Sequence, residues 1–370
     1  MPRIEQVAVD RNRWKSTEID GRNQRVDQKR GSTMKNIRIG SVGLGRLGLR
    51  HAENVASKIP GASLHALCDL DETLLAQTAD RLGVPYRYTD FDQMVQNAEI
   101  DAVVIVSPSG LHTGQIEAAL KAGKHVFTEK PLGVTVEECK TAERAVEAHP
   151  DRVFMIGFMR RFDESYMYAH EKVMRGDIGK PVLFRSYSQD PESSIEGAIK
   201  YAGHSGGQFL DMAVHDIDLA RWFVGSEPQN VYAIGGCYAH PEFGQYNDGD
   251  NVSCLMKFQN DAMVFLFAGR TAPHGYNVET EIIGTTGILR IASVPQKNMV
   301  EVLDSHGVRR ECSDNFLDRF ESSYVREIQE FVDCIREDRK PSVSVYDGTK
   351  CTEIAYRCKE AFETGQLLEF

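Results

Sequence analysis

The chain has 370 residues, 41% of them apolar and 26% charged, enough for two ordinary domains with separate cores. Its 54 acidic and 43 basic residues give a net charge of −11, an acidic balance that argues against a nucleic-acid binder, whose footprint is basic. No apolar run approaches the roughly 20 residues of a membrane span, and eight scattered cysteines without C-x-x-C spacing fit reduced thiols of a cytoplasmic protein better than a zinc or disulfide framework.

Residues 1–33 are polar, rich in Arg, Asp, Asn and Gln, and lack the apolar core of a secretory signal. They read either as a disordered or partner-binding arm or as sequence lying upstream of a native start at Met34. The first domain, 34–158, then begins at once. The β-branched run from Ile37 to Val42 predicts a strand that opens into Gly43-Leu44-Gly45-Arg46-Leu47-Gly48 and a helix over about 46–58. Glycines at 43, 45 and 48 have the G-x-G-x-x-G spacing: a tight turn, close approach of a pyrophosphate to the backbone, and tight helix–strand packing. The positive end of the helix then faces the phosphates.

A second strand, Ser63 to Cys68, ends in Asp69, 21 residues after Gly48, the spacing of an acid that binds the adenosine ribose. A carboxylate there repels a 2′-phosphate, so NAD is favoured, with NADP the alternative through Arg46. A third strand, Ala102 to Val106, leads into Ser107-Pro108-Ser109, with His112 at the start of the next helix, where it either faces the cofactor or is structural. That loop is expected beside the nicotinamide. A fourth strand over 125–128 delivers Glu129-Lys130-Pro131, and the helix Val136 to Glu147 and strand Val153 to Gly157 complete the alternation of a parallel sheet. A lysine at such a strand end is ordinarily a solvent-facing loop residue. Here it stands at the carboxyl edge where doubly wound sheets hold their ligands, which makes Lys130 a candidate catalytic cation. Glu129 either binds the cofactor or braces the corner.

After residue 159 the pattern changes. Strands near 182–189, 229–238, 251–258, 262–268, 278–284, 287–292 and 299–303 follow one another across short turns, which predicts a large, mostly antiparallel, open sheet in a second domain, 159–370. Val264, Leu266 and Ala268 alternate on one strand and are expected to cover its free face against a second subunit. Apolar residues at helical spacing over 316–335 and a helix over 347–364 capped by Gly365 read as packing elements. In Gly206-Gly207-Gln208-Phe209-Leu210-Asp211-Met212-Ala213-Val214-His215-Asp216-Ile217-Asp218, Asp211 and His215 are four apart and would share a helix face. Three readings stay open there: two metal ligands, for which no third or fourth partner is evident; a buried, satisfied histidine; or a carboxylate–imidazole acid/base pair.

The glycine loop, Ser-Pro-Ser-x-x-His, Glu-Lys-Pro, Gly157-Phe158-Met159-Arg160-Arg161-Phe162-Asp163 and the Asp211–His215 segment occur in the order in which they resemble the glucose–fructose oxidoreductase/inositol dehydrogenase (Gfo/Idh/MocA) family, over residues 35–370. His51 and Asn54 after the loop look most like its inositol 2-dehydrogenases. The resemblance implies an α/β enzyme with an N-terminal Rossmann domain, NAD or NADP as cofactor, no metal, and a homotetramer. It implies oxidation of scyllo- or myo-inositol to scyllo-inosose, with an aldose or amino-sugar dehydrogenase as the nearer alternative and a non-catalytic cofactor-binding regulator as the further one. Lys130, Asp211 and His215 match its catalytic trio, and Arg160, Gln189 and Asp190 its polyol site. Ser109 departs from the asparagine that many relatives carry. Asp218, His274 and Tyr276 add polar groups suited to a ring of hydroxyls. Chemically, His215 is the natural first base near neutral pH, Asp211 would orient Lys130 or His215, and Lys130 would steady and relay charge beside the nicotinamide.

Overall fold

Residues 36–370 are described in the structure, a computed structural model. The readings of residues 1–33 lie outside them. Six strands, β1 (Ile37–Val42), β2 (Ala62–Cys68), β3 (Tyr86–Tyr88), β4 (Ala102–Ile105), β5 (His125–Glu129) and β6 (Phe154–Gly157), form one sheet in the order β3-β2-β1-β4-β5-β6. Every pair in it is parallel. Helices cover both faces, so strands such as Ala102-Val103-Val104-Ile105 are apolar throughout and fully buried. The order reverses between β1 and β4, and the carboxyl ends of β1, β4 and β5 bring Gly43, Ser107 and Lys130 to the same edge.

The second sheet holds β7 (Pro181–Pro191), β8 (Pro228–Gly236), β9 (Asn251–Phe258), β10 (Met263–Ala272), β11 (Asn277–Gly284) and β12 (Ile288–Ile291), while β13 (Val302–Asp304) and β14 (Gly307–Arg309) make a separate hairpin. With β15 (Leu368–Glu369) its order is β12-β11-β7-β10-β9-β8-β15, antiparallel except for the central β7–β10 pair. Helices Val214–Val224 and Val345–Thr364 pack on it.

Three expectations are corrected. Val264, Leu266 and Ala268 do alternate, but they point into the chain's own core, and the opposite phase of the strand, Met263, Phe265 and Phe267, faces outward. Tyr187 meets both Phe265 and Phe267 there at 5.9 Å, and Tyr232, Ile234 and Leu255 extend the open face. Period-two spacing identifies a two-faced strand without saying which face is covered. Helix Ile195–Ala202 interrupts what reads as a run of strands, and the helix expected over 316–335 is broken at Phe320 into Phe316–Arg319 and Glu321–Glu337.

Asp218 is a structural group. Both of its carboxylate oxygens receive the Arg161 guanidinium, at 2.8 and 2.5 Å, and the pair is buried beside Asp347. Removing Asp218 leaves the buried Arg161 guanidinium with Asp347 as its remaining acid, and losing a hydrogen-bonded charged partner costs about 1.5–3 kcal/mol. Asp218→Ala is therefore expected to lower the midpoint of urea unfolding at an unchanged slope.

Candidate active site

Glycine at 43 and 48 is a matter of space. A β-carbon on Gly43 would lie 2.6 Å from the Val106 carbonyl oxygen, and one on Gly48 would lie 1.9 Å from that of Gly43. The chain between them is thereby pressed against β4. Gly45 is different: nothing lies within 4 Å of the position its β-carbon would take, and no side chain caps the helix Arg46–Ser57 that starts there. Its first-turn N–H groups are left to an anion approaching that open side, which fits a pyrophosphate.

Asp69 fits the ribose. Its Oδ2 accepts the Leu44 N–H at 2.6 Å and its Oδ1 the Asp71 N–H at 2.9 Å. A carboxylate has about four acceptor positions, so two fixed bonds orient it and leave others for hydroxyls. Of the β4 loop, Ser107 bonds Gln115 at 2.5 Å, Pro108 leads into a short helical turn, and the Ser109 hydroxyl meets Tyr201 at 3.1 Å. His112 has both ring nitrogens engaged by backbone carbonyls, which suits the structural reading. It is buried, with Nδ1 against the Pro131 carbonyl at 2.8 Å and Nε2 against that of Ser107 at 2.9 Å, so it ties the β4 loop to the β5 corner.

Lys130, Asp211, His215, Arg160, Asp190 and Tyr276 line one cavity of about 670 Å³, which Arg46, Leu47 and Glu129 also line. Lys130 comes from the end of β5, and its Nζ donates to the Asp211 carbonyl at 2.9 Å and lies 3.8 Å from Asp211 Oδ1. Asp211 ends the short helix Gln208–Asp211, and His215 opens Val214–Val224, so the two do not share one continuous helix. Asp211 is held instead by Lys130 and Arg270, whose Nη2 donates to its Oδ2 at 2.5 Å. Burial alone would raise the Asp211 carboxyl; Arg270 and Lys130 outweigh it and leave it below the usual carboxylate range.

His215 is buried, its Nδ1 without a partner and its ring edge-on to Phe158 at 6.2 Å. Burial, then the nearby charges of Lys130 and Arg160, hold it well below 6.5. A neutral imidazole beside cations is equipped to accept a proton. Arg160 forms part of the wall: Nη1 pairs with buried Asp216 at 2.7 Å and Nη2 reaches Ser188 at 3.1 Å.

Gln189, Asp218 and His274 are not brought to the cavity. Burial alternates along β7, with Ser186 and Ser188 turned inward, so Gln189 belongs to the opposite phase. Arg270 is the residue that the motifs do not reveal. Besides Asp211 it binds Gln208 Oε1 at 2.7 Å and Asp190 Oδ2 at 3.1 Å. Its signal in the sequence is a lone charged residue in a strand that is otherwise uncharged, since buried arginines have partners. A groove of about 830 Å³ beside helix Val345–Thr364 is larger, but several of its charged residues, Lys350 with Glu353 and Arg357 with Glu360, are paired with each other.

Residues 37–158 match the family described as "Oxidoreductase family, NAD-binding Rossmann fold", and 166–290 match the "GFO/IDH/MocA C-terminal domain". The chain is 34% identical to the scyllo-inositol 2-dehydrogenase (NAD(+)) of Bacillus subtilis, across 90% of this chain and 96% of that one. It is also 34% identical to the myo-inositol 2-dehydrogenase of Thermotoga maritima, across 88% and 96%. Among solved structures, scyllo-inositol dehydrogenase from Lactobacillus casei with bound NAD(H) and scyllo-inositol superposes with a TM-score of 0.88 at 46% identity, over 90% of this chain and 99% of that one. Myo-inositol 2-dehydrogenase from Lactobacillus plantarum gives 0.88 at 38%, over 91% and 100%.

An Asp69 that binds the adenosine ribose would, on replacement by Ala, lose that acceptor and the repulsion of a 2′-phosphate together. Hydrogen bonds to a charged group contribute about 1.5–3 kcal/mol, so Asp69→Ala is expected to weaken NAD binding roughly ten- to a hundredfold while NADP binding is unchanged or improved, as titration of both coenzymes would read.

Proposed function

The chain belongs to the Gfo/Idh/MocA oxidoreductase family, and from that premise we propose that it oxidises scyllo- or myo-inositol to scyllo-inosose with NAD, scyllo-inositol being the better substrate. The observation that carries the reading is one cavity shared by the cofactor edge of the parallel sheet, through Arg46, Glu129 and Lys130, and the acid–base groups Asp211 and His215. The greater identity to a scyllo-inositol enzyme, 46% against 38% for a myo-inositol one, favours the scyllo epimer.

Bound NAD supplies the hydride acceptor. The protein's part is to take the hydroxyl proton and steady the oxygen that loses it. Neutral His215 takes that proton. The Lys130 ammonium, anchored on Asp211, offers its remaining hydrogens to the developing alkoxide. Arg270 keeps Asp211 ionised, so Asp211 orients the lysine rather than competing for the proton. Asp190, Arg160 and Tyr276 present charged and hydroxyl groups to the other hydroxyls of the ring. We assign the outward face of the second sheet, with Phe265, Phe267 and Leu255, to the interface of a homotetramer, because an apolar sheet face of this kind marks an association surface. Eight free cysteines accord with a cytoplasmic location.

A spectrophotometric screen of NAD reduction with inositol epimers and aldoses tests the substrate: turnover confined to aldoses would make this an aldose dehydrogenase, and none with any polyol would remove the enzymatic reading. Lys130→Ala is expected to lower kcat about 10²- to 10³-fold while NAD still binds.

The pH profile follows from His215. Its proton affinity is depressed in the folded protein, so the base stays neutral as pH falls through 6.5, and the acid limb of kcat/KM should lie below that value. Lys130→Ala removes one of the charges that depress it, so the limb of the residual activity should move up. A limb that stays in place would show that another group is the base.

A further inference from the structure

Behind the cavity wall lies a cluster of titratable groups that the mechanism above does not use. Glu129 lines the cavity; its Oε2 accepts the Lys130 backbone N–H at 3.1 Å and its Oε1 meets His51 Nε2 at 2.8 Å. Glu327 Oε1 lies 3.9 Å from the same nitrogen. His51 and Glu327 are both 0% exposed. Neither oxygen of Glu327 has a hydrogen-bond partner, and neither does His51 Nδ1. Tyr324, one turn before Glu327 and itself lining the cavity, packs edge-on against His51 at 5.6 Å, as Phe127 does on another side.

Hydrogen-bond arithmetic fixes where a proton can sit. Glu129 accepts two N–H donors, the arrangement of an anion. His51 donates through Nε2, and a second proton on Nδ1 would be a buried donor with no acceptor, so the ring is neutral. Glu129, His51 and Tyr324 are the titratable groups facing Glu327, and no lysine or arginine among the described residues pairs with it. A second bare carboxylate there would be an uncompensated buried charge close to an existing one, which is the costliest arrangement available.

We propose that His51, Glu129 and Glu327 form a one-proton site: Glu327 carries the proton in the coenzyme-free protein and releases it when oxidised NAD brings a positive charge into the cavity. Two carboxylates then balance the nicotinamide charge and the Lys130 ammonium. Hydride transfer to the ring removes that positive charge, and the cluster takes a proton back. The substrate hydroxyl gives up one proton in the same turnover, so the net charge of the cavity and its wall is restored. The inference rests on the NAD reading, and on neither the substrate nor the base assigned above.

Calorimetric titration with NAD and with NADH, in two buffers of different ionisation enthalpy, counts protons exchanged on binding without any turnover. Wild-type protein is expected to release more protons with NAD than E327Q does, and the two proteins should agree with NADH. Equal release by wild type and E327Q would overturn the proposal, as would a difference of the same size with NADH. Should E327Q fail to fold, the wild type alone decides. Its infrared difference spectrum should lose the carbonyl band of a buried, protonated carboxyl with NAD and keep it with NADH; no such band in the coenzyme-free protein would overturn the proposal. A stoichiometric metal ion in the isolated protein, lost in E327Q, would also overturn it, because a cation would then occupy the place of the proton. Inactivity towards inositols would leave all of these readings unchanged.

Discussion

Arg270 is the constraint on which the rest of the cavity depends. Asp190 and Asp211 face the same buried space, and two carboxylates so placed repel each other and resist ionisation. One guanidinium reaching both, at 3.1 and 2.5 Å, makes the pair tolerable. Once Asp211 is fixed as an anion, Lys130 has a partner that is always charged, and the lysine's position follows from it. Arg160 and Asp216 repeat the arrangement on the other wall, where Ser186 and Ser188 each donate to Asp216 at 2.6 Å. Asp190, Asp211 and Asp216 thus each have a cationic partner before any ligand enters, and His215 is left as a neutral group among them.

This pairing explains why the fold needs two sheets of different kinds. A parallel sheet places strand ends, and therefore loops, along one edge, which suits a cofactor held by backbone and a lysine held at a corner. Both of its faces are packed with helices, and it brings an acid to the cavity only at a strand end, Glu129, which leaves positions for further buried charges to be found elsewhere. The second sheet supplies those positions. The inward phases of β7 and β10 bring Ser186, Ser188 and Arg270 beneath the helix that carries His215 and Asp216, while the outward phases carry the aromatic cluster of Tyr187, Phe265 and Phe267.

Legibility in the sequence followed the range of the interactions. The glycine loop and the Lys130 corner were readable because each is set by local geometry, a turn and a strand end, whereas the four-residue spacing of Asp211 and His215 does not put them on one helix. Most strand and helix positions were readable for the same reason; Ile37–Val42 and Val136–Glu147 stand as the periodicity places them. The side of β10 that is covered was not, since alternation is symmetric until a second layer packs on it. Nor was the role of His112, which depends on two carbonyls from loops that meet only in three dimensions. Arg270 joins Gln208 and Asp190 across gaps of 62 and 80 residues, and no local pattern records such a contact.

Glu129 shows how the local and long-range readings combine. As part of Glu-Lys-Pro it was ambiguous between a ligand and a brace, and in the structure it braces the corner while its carboxylate also lines the cavity. One oxygen accepts the Lys130 backbone N–H and sets the corner; the other is held by His51, and the carboxylate still lines the cavity. A brace alone would need no ionisable group, because an amide accepts the same N–H bond. A ligand alone would need no buried imidazole and second carboxyl behind it. The presence of both makes sense if the charge on this wall has to vary while its geometry does not: rigid hydrogen bonds fix Glu129, and the variable proton is kept one residue further back, on a group with no geometric duty of its own.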